Sequence, residues 1–218
     1  TRDIAAALWR KDEYDFYKCL YIVAYQQDLH FRQWFKVVEL MGYDWYNELV
    51  HVPYGTVSIN GEKLATRTGN VILLRDLFAL AIEKVSAIMK EKNPELAGKE
   101  DIAEAVGVGA VVFYYLSNNR LRDINFVMED ALSFDGNTGP YVQYTYARTC
   151  SVLGKAGNIR DDLPLCVTAE EETALLRVIA RFEETVRAAI DAYEPSLITR
   201  YILDVAGAYN RFYHNCSI

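Results

Sequence analysis

The segment Ser133–Leu153, SFDGNTGPYVQYTYARTCSVL, sets a junction that any fold of this chain must accommodate. Asp135-Gly136-Asn137-Thr138-Gly139 is a cluster of turn formers. Pro140 then stands where a helix takes its first residue and where a missing N–H costs nothing. A helix is expected from there to Gly154, a glycine stop. Along it Tyr141, Tyr144 and Arg148 are spaced by three and four and so share one stripe. Two flat rings and a guanidinium on one face can stack unpaired bases and hold a phosphate. Tyrosines at helical spacing are equally what a packed core shows, and periodicity alone leaves both readings open.

Upstream of the junction the pattern alternates between strand and helix. Thr1–Tyr14 reads as a helix with Thr1 as N-cap and Ile4, Leu8 and Trp9 as its apolar stripe. Lys18–Tyr25 is a short apolar run of the kind a buried parallel strand shows. Leu29–Met41 returns to helical spacing through Phe31, Trp34, Phe35, Val38 and Met41. Leu49–Ile59 reads as a second strand bent at Pro53 and Gly55. Strand, helix and strand imply part of a parallel α/β sheet, whose ligands sit at the strand C-termini, where Gln27 and His30 fall. Taken alone, Gln27 is a helix-start residue and His30 a satisfied, half-buried imidazole.

Lys63–Asn70, KLATRTGN, is a polar loop. Beyond it Leu73, Leu77, Leu80, Ala81, Val85 and Ile88 predict one helical face, ended by Asn93-Pro94. Asp101–Leu116 predicts another, through Ile102, Val106, Ala110, Phe113 and Leu116, although β-branched residues leave a strand open over Val108–Tyr115. Leu121–Val127 is a candidate extended piece. After the junction, Asn158–Leu165 is a polar loop and Thr168-x-x-Glu171 a capping box. One apolar face then follows through Leu175, Ile179, Phe182, Val186 and Ile190. Glu194-Pro195 restarts the chain into a last helix with Leu197, Tyr201, Val205, Tyr209 and Phe212. Three helices with short loops make a bundle.

Composition narrows the function classes. The 218 residues are 51% apolar and 24% charged, as in a globular protein. The net charge is −7; residues 1–136 hold 15 Lys/Arg against 20 Asp/Glu, and residues 137–218 hold 8 against 10. Neither half is basic, so nucleic-acid binding would need a local patch with stacking, not a broad positive field. Cys19, Cys150, Cys166 and Cys216 lack metal-ligand spacing and read as free thiols in a reducing compartment, the cytoplasm, with no metal expected. No apolar run reaches membrane-spanning length and no signal peptide opens the chain. The chain begins without Met and TRDIAAALW reads as mid-domain sequence, so a preceding portion is expected.

The run LSFDGNTGPYVQYTYAR resembles the junction of class I arginyl-tRNA synthetases, where the catalytic part hands over to a helical anticodon-binding domain. AYNRFYHNC near the end resembles that domain's signature, and Thr1-Arg2-Asp3 the family's TRD segment. The resemblance implies an α/β part followed by an all-α part. Residues 1–70 would be the second half of the catalytic domain, 71–136 a helical connective region, and 137–218 an anticodon-binding domain truncated at its C-terminus. It implies ATP-dependent ligation of arginine to its tRNA through an arginyl-adenylate. Arginine, ATP and the tRNA are then partners, Mg2+ is expected beside ATP, and neither membrane nor DNA is a partner.

The resemblance also places roles. The arginine-binding aspartate falls on Asp3, which suits a guanidinium fork pairing bidentately with carboxylate. The amino-acid-holding glutamine falls on Gln27, and the anticodon contacts on Tyr141, Tyr144 and Arg148. KLATRTGN resembles the KMSKS loop, with Leu64 and Ala65 replacing Met and Ser and Thr66 replacing the second lysine. Stabilisation of the ATP phosphates would rest on Lys63 and Arg67. No HIGH-like motif is present, so the 218 residues alone are expected to be inactive. The alternative is a non-catalytic tRNA-binding paralogue, which the altered loop favours and Asp3 with Gln27 disfavours. A cysteinyl-type synthetase shares the bundle but brings zinc-binding cysteines, for which no spacing exists here.

Overall fold

The computed structural model describes residues 2–63, 73–92, 95, 98–157 and 166–216. The chain forms two compact units, residues 1–56 with 120–124, and residues 57–119 with 125–218.

In the first unit α1 (Arg2–Tyr14) leads to β1 (Cys19–Ala24), a 3-10 turn (Tyr25–Gln27), α2 (Asp28–Leu40), a second 3-10 turn (Asp44–Glu48) and β2 (Leu49–Tyr54). β1 and β2 pair in parallel, Cys19 opposite Leu49 through Ala24 opposite Tyr54, as the strand–helix–strand pattern predicts. Phe31, Trp34 and Val38 fall at helical spacing on α2 and bury against Leu49 and Ala7. On α1 the buried residue is Ala7, and Ile4 of the predicted stripe packs against the same cluster, whereas Trp9 is exposed. Thr1 lies outside the described residues.

The predicted strand Leu49–Ile59 is two strands. β2 ends at Tyr54, and β3 (Val57–Ile59) pairs antiparallel with β4 (Glu62–Lys63) in a sheet ordered β4-β3-β5, with β5 at Ile124–Phe126. At the break, Gly55 N–H donates to Arg120 O at 2.7 Å, and the Thr56 N–H and hydroxyl both donate to Asp123 Oδ1 at 2.7 Å.

The second unit is mostly helical. α3 (Leu74–Lys92) and α4 (Lys99–Ser117) bury Leu77, Ala81, Val85, Ala103, Ala110 and Val111 around Phe126, which is fully enclosed and stacks on Tyr115 at 5.4 Å. Val108–Tyr115 is helical. The buried face of α4 is small, since Ala103, Gly107 and Ala110 are inside whereas Ile102 and Leu116 are exposed. A close approach explains it: a Cβ on Gly107 would meet Ile82 N at 2.9 Å. Of the predicted apolar stripe, Leu73, which precedes α3, and Leu80, within it, are likewise exposed.

After α5 (Met128–Ala131), α6 (Gly139–Ala156) begins at the predicted junction, with Tyr141 N–H donating to the Thr138 hydroxyl at 3.2 Å. It does not stop at Gly154, which is within the helix; the stop is Gly157, in the positive-φ backbone (φ 67°) that favours glycine. The predicted continuous face over 175–190 belongs to two helices, α7 (Glu170–Ala180) and α8 (Phe182–Ala192), which leave Ile179, Phe182 and Ile190 exposed. The capping carboxylate is Glu172, not Glu171: its Oε2 accepts from Thr168 N–H (2.7 Å) and Ala169 N–H (2.8 Å). α9 (Ser196–Asn215) packs on α4, α6, α7 and α8, so among the described residues four helices follow the junction where three were expected. Asn158–Leu165 and Asn93-Pro94 lie outside the described residues.

Candidate functional site

In the first unit, the polar residues gather where β1 gives way to α2. Asp3, in the first turn of α1, and His30, in the first turn of α2, approach to 2.9 Å between Oδ2 and Nε2, both about half exposed. His51 lies on β2. Its ring stacks on Phe31 at 4.1 Å, and its Nε2 donates to Val23 O at 2.9 Å. Its Nδ1 lies 3.1 Å from an Asp28 carboxylate oxygen. Gln27, at the end of the 3-10 turn, is exposed, with no side-chain partner among the described residues. Behind this edge Tyr21 is pushed up to about 12, chiefly by burial and then by Cys19, against the opposing Arg10 guanidinium. It stays a neutral packing phenol.

Among the expected phosphate-binding residues, Lys63 closes β4, where its backbone pairs with Ser58 in the second unit. Its side chain, and the whole of Arg67, lie outside the described residues. Asp3 and Gln27 belong to the first unit. No group of three or more His, Cys, Asp or Glu among the described residues could hold a metal ion.

The α6 residues are brought together. Tyr144 is 55% exposed, which removes it from the core, and Thr145 beside it is buried instead. The Arg148 guanidinium lies 4.8 Å from the Tyr144 ring centroid and 4.9 Å from that of Tyr213, which is 41% exposed on α9. It therefore lies over two aromatic rings, a cation–π arrangement. Arg148 Nη1 donates to Asn210 Oδ1 at 2.6 Å, and Asn210 Nδ2 donates to the Tyr141 hydroxyl at 2.9 Å and to the Thr145 hydroxyl at 3.0 Å. Among the described residues no carboxylate pairs with Arg148. Sequence spacing found Tyr141, Tyr144 and Arg148. It missed Asn210 and Tyr213, which lie three apart on another helix within AYNRFYHNC, and it left His30 without a role.

All four cysteines are free thiols, and no described helix is long and apolar enough to cross a membrane.

Comparison with known proteins bears on the family and the fold. The family pattern "tRNA synthetases class I (R), catalytic domain" matches residues 1–128, and "DALR anticodon binding domain" matches residues 142–218. The arginine–tRNA ligase of Clostridioides difficile is 50% identical over 99% of this chain, and that of Halothermothrix orenii 48% over all of it. The chain spans 38% and 39% of their respective lengths. Thermus thermophilus arginyl-tRNA synthetase superposes with a TM-score of 0.82 at 31% identity, over 93% of this chain and 34% of that one. The Plasmodium falciparum enzyme shares the fold, with a TM-score of 0.82 at 23% identity. A parallel strand–helix–strand unit followed by a helical bundle, with one pattern matching before the junction and the other from within α6 onward, makes this chain a member of the class I arginyl-tRNA synthetase family.

Proposed function

We propose that the protein carrying this chain ligates arginine to its tRNA in two steps. The arginine carboxylate attacks the α-phosphorus of ATP, forming arginyl-adenylate and releasing pyrophosphate. A hydroxyl at the tRNA 3′ end then attacks the activated carbonyl, and AMP leaves. Residues 1–70 act as catalytic-domain residues, 71–136 as a helical connection and 137–218 as the anticodon-binding domain, in a cytoplasmic protein.

Asp3 receives the substrate guanidinium, and Gln27, exposed at the C-terminal end of β1, helps hold the amino acid. Lys63 and Arg67 balance charge on the transferring phosphates. Mg2+ would arrive with ATP. The described residues offer no cluster fitted to it, and no step is assigned to it.

The observation that carries the reading is the Arg148 guanidinium over the Tyr144 and Tyr213 rings, a cation with no carboxylate partner among the described residues of an acidic chain. Such a face suits an unpaired base and its phosphate. The test is titration of an arginine-tRNA anticodon stem-loop, beside one with its central anticodon base changed, at two salt concentrations. Discrimination between the loops supports the reading. Equal, salt-sensitive binding reduces it to backbone contact.

A further inference from the structure

We propose that Asn210 is a positioning residue that makes the Tyr141–Arg148 face a surface of outward hydrogen-bond donors, so that its ligand must present acceptor atoms there. The inference rests on the reading of this face as the anticodon site.

The direction of each hydrogen bond follows from what each group can do. A guanidinium only donates, so the Asn210 atom 2.6 Å from Arg148 Nη1 is the amide oxygen. The amide nitrogen therefore points the other way, and both its hydrogens are spent, one on the Tyr141 hydroxyl and one on that of Thr145. Thr145 can accept because its own proton goes to Tyr141 O at 3.0 Å. Tyr141, half-buried, must accept from Asn210, and its hydroxyl proton has no acceptor among the described residues. That proton is directed away from Asn210, toward whatever occupies the face.

Arg148 contributes the same polarity. One N–H is committed to Asn210, and the remaining donors belong to a guanidinium that lies over the Tyr144 and Tyr213 rings. Donors from Tyr141 and Arg148 thus face outward together. A matching ligand offers lone pairs, either the carbonyl and ring-nitrogen edge of an unpaired base or a phosphate oxygen.

Asn210→Asp tests the polarity with almost no change of shape. A carboxylate still accepts from Arg148, but it cannot donate. Tyr141 and Thr145 must then turn their protons inward, and Tyr141 shows the ligand a lone pair. Tyr141→Phe removes the outward donor without adding charge. Both variants, their double, and the unchanged protein are titrated with an arginine-tRNA anticodon stem-loop and with one abasic at the central position, and thermal unfolding is followed for each.

Asn210→Asp is expected to weaken stem-loop binding roughly tenfold or more, and Tyr141→Phe several-fold, with unfolding curves near that of the unchanged protein. The double variant should bind no more weakly than Asn210→Asp alone, a coupling that a merely structural role would not produce. If the losses vanish on the abasic loop the acceptor is a base, and if they persist it is phosphate; either result supports the proposal. Wild-type affinity in Tyr141→Phe, or in a folded Asn210→Asp, overturns the donor assignment and leaves the anticodon reading standing. Absence of binding by the unchanged protein overturns both. If Asn210→Asp fails to fold, Tyr141→Phe decides alone.

Discussion

Asp3 Oδ2 and His30 Nε2 lie 2.9 Å apart, joining the first turn of α1 to the first turn of α2 at the C-terminal edge of the parallel strands. On the proposed function the imidazole would support the Asp3 carboxylate as it receives the substrate guanidinium. In a full-length synthetase carrying this segment, Asp3→Asn is expected to raise KM for arginine about 10- to 100-fold, the scale of a lost charged hydrogen bond. His30→Ala should have a smaller effect, below about tenfold, because it removes only support for the carboxylate. Arginine-dependent ATP–pyrophosphate exchange measures both. An unchanged KM in Asp3→Asn would remove Asp3 from the amino-acid pocket.

Tyr144 projects from α6 with more than half its surface in solvent, so truncation should leave the helix intact. Tyr144→Ala is expected to weaken anticodon stem-loop binding by about 1–3 kcal/mol, the usual scale of a lost stacking partner. Circular dichroism should show unchanged helical content. A loss of helix would restore the core reading of this tyrosine.

A close backbone approach holds the first unit together. A Cβ on Gly55 would stand 2.1 Å from Arg122 O and 2.4 Å from its carbonyl carbon, with only main chain available to move. Gly55→Ala should destabilise the protein by about 1–3 kcal/mol, as overpacking does elsewhere. Denaturant unfolding reads it directly, and wild-type stability would show that residues 120–124 can retreat.

The start of α7 carries a pH dependence of known sign. The backbone N–H groups of Ala169 and Thr168 hold the Glu172 carboxyl below its ordinary value of 4.5. The stabilisation is therefore full above that value and is lost as pH falls through the lowered one. Glu172→Gln should separate from the unchanged protein in thermal unfolding at pH 7, and the two should converge in acid. Parallel curves throughout would deny the carboxylate a capping role.

The parts of the fold that were legible are those governed by local pattern. Strand, helix and strand followed from apolar runs, and the start of α6 from Thr138 and Pro140, because turn and cap chemistry act over a few residues. The errors came from tertiary contacts. Ile102 and Leu116 look like core, yet they are exposed, and α3 comes so near at Gly107 that a Cβ there would meet Ile82 N at 2.9 Å. Neither Gly nor Pro marks the break at Arg181, so a period of 3.6 ran through two helices. Of the face around Arg148, the α6 stripe was readable. Asn210 and Tyr213 were not, because the bonds that define them join α9 to residues 62 to 69 positions away.

The first unit is completed by residues 120–124, whose bonds to Thr56 span 67 positions of sequence. A ribosome adding roughly 5–20 residues per second delivers Asp123 some 3–13 seconds after Thr56. During that interval the end of β2 has exposed donors and no acceptor, while α3 and α4, neighbours in sequence, are free to form their hairpin. Closure over so long a loop carries only a logarithmic entropic penalty once both ends exist. Completion of the first unit is thus a late event, timed by translation of the two helices between.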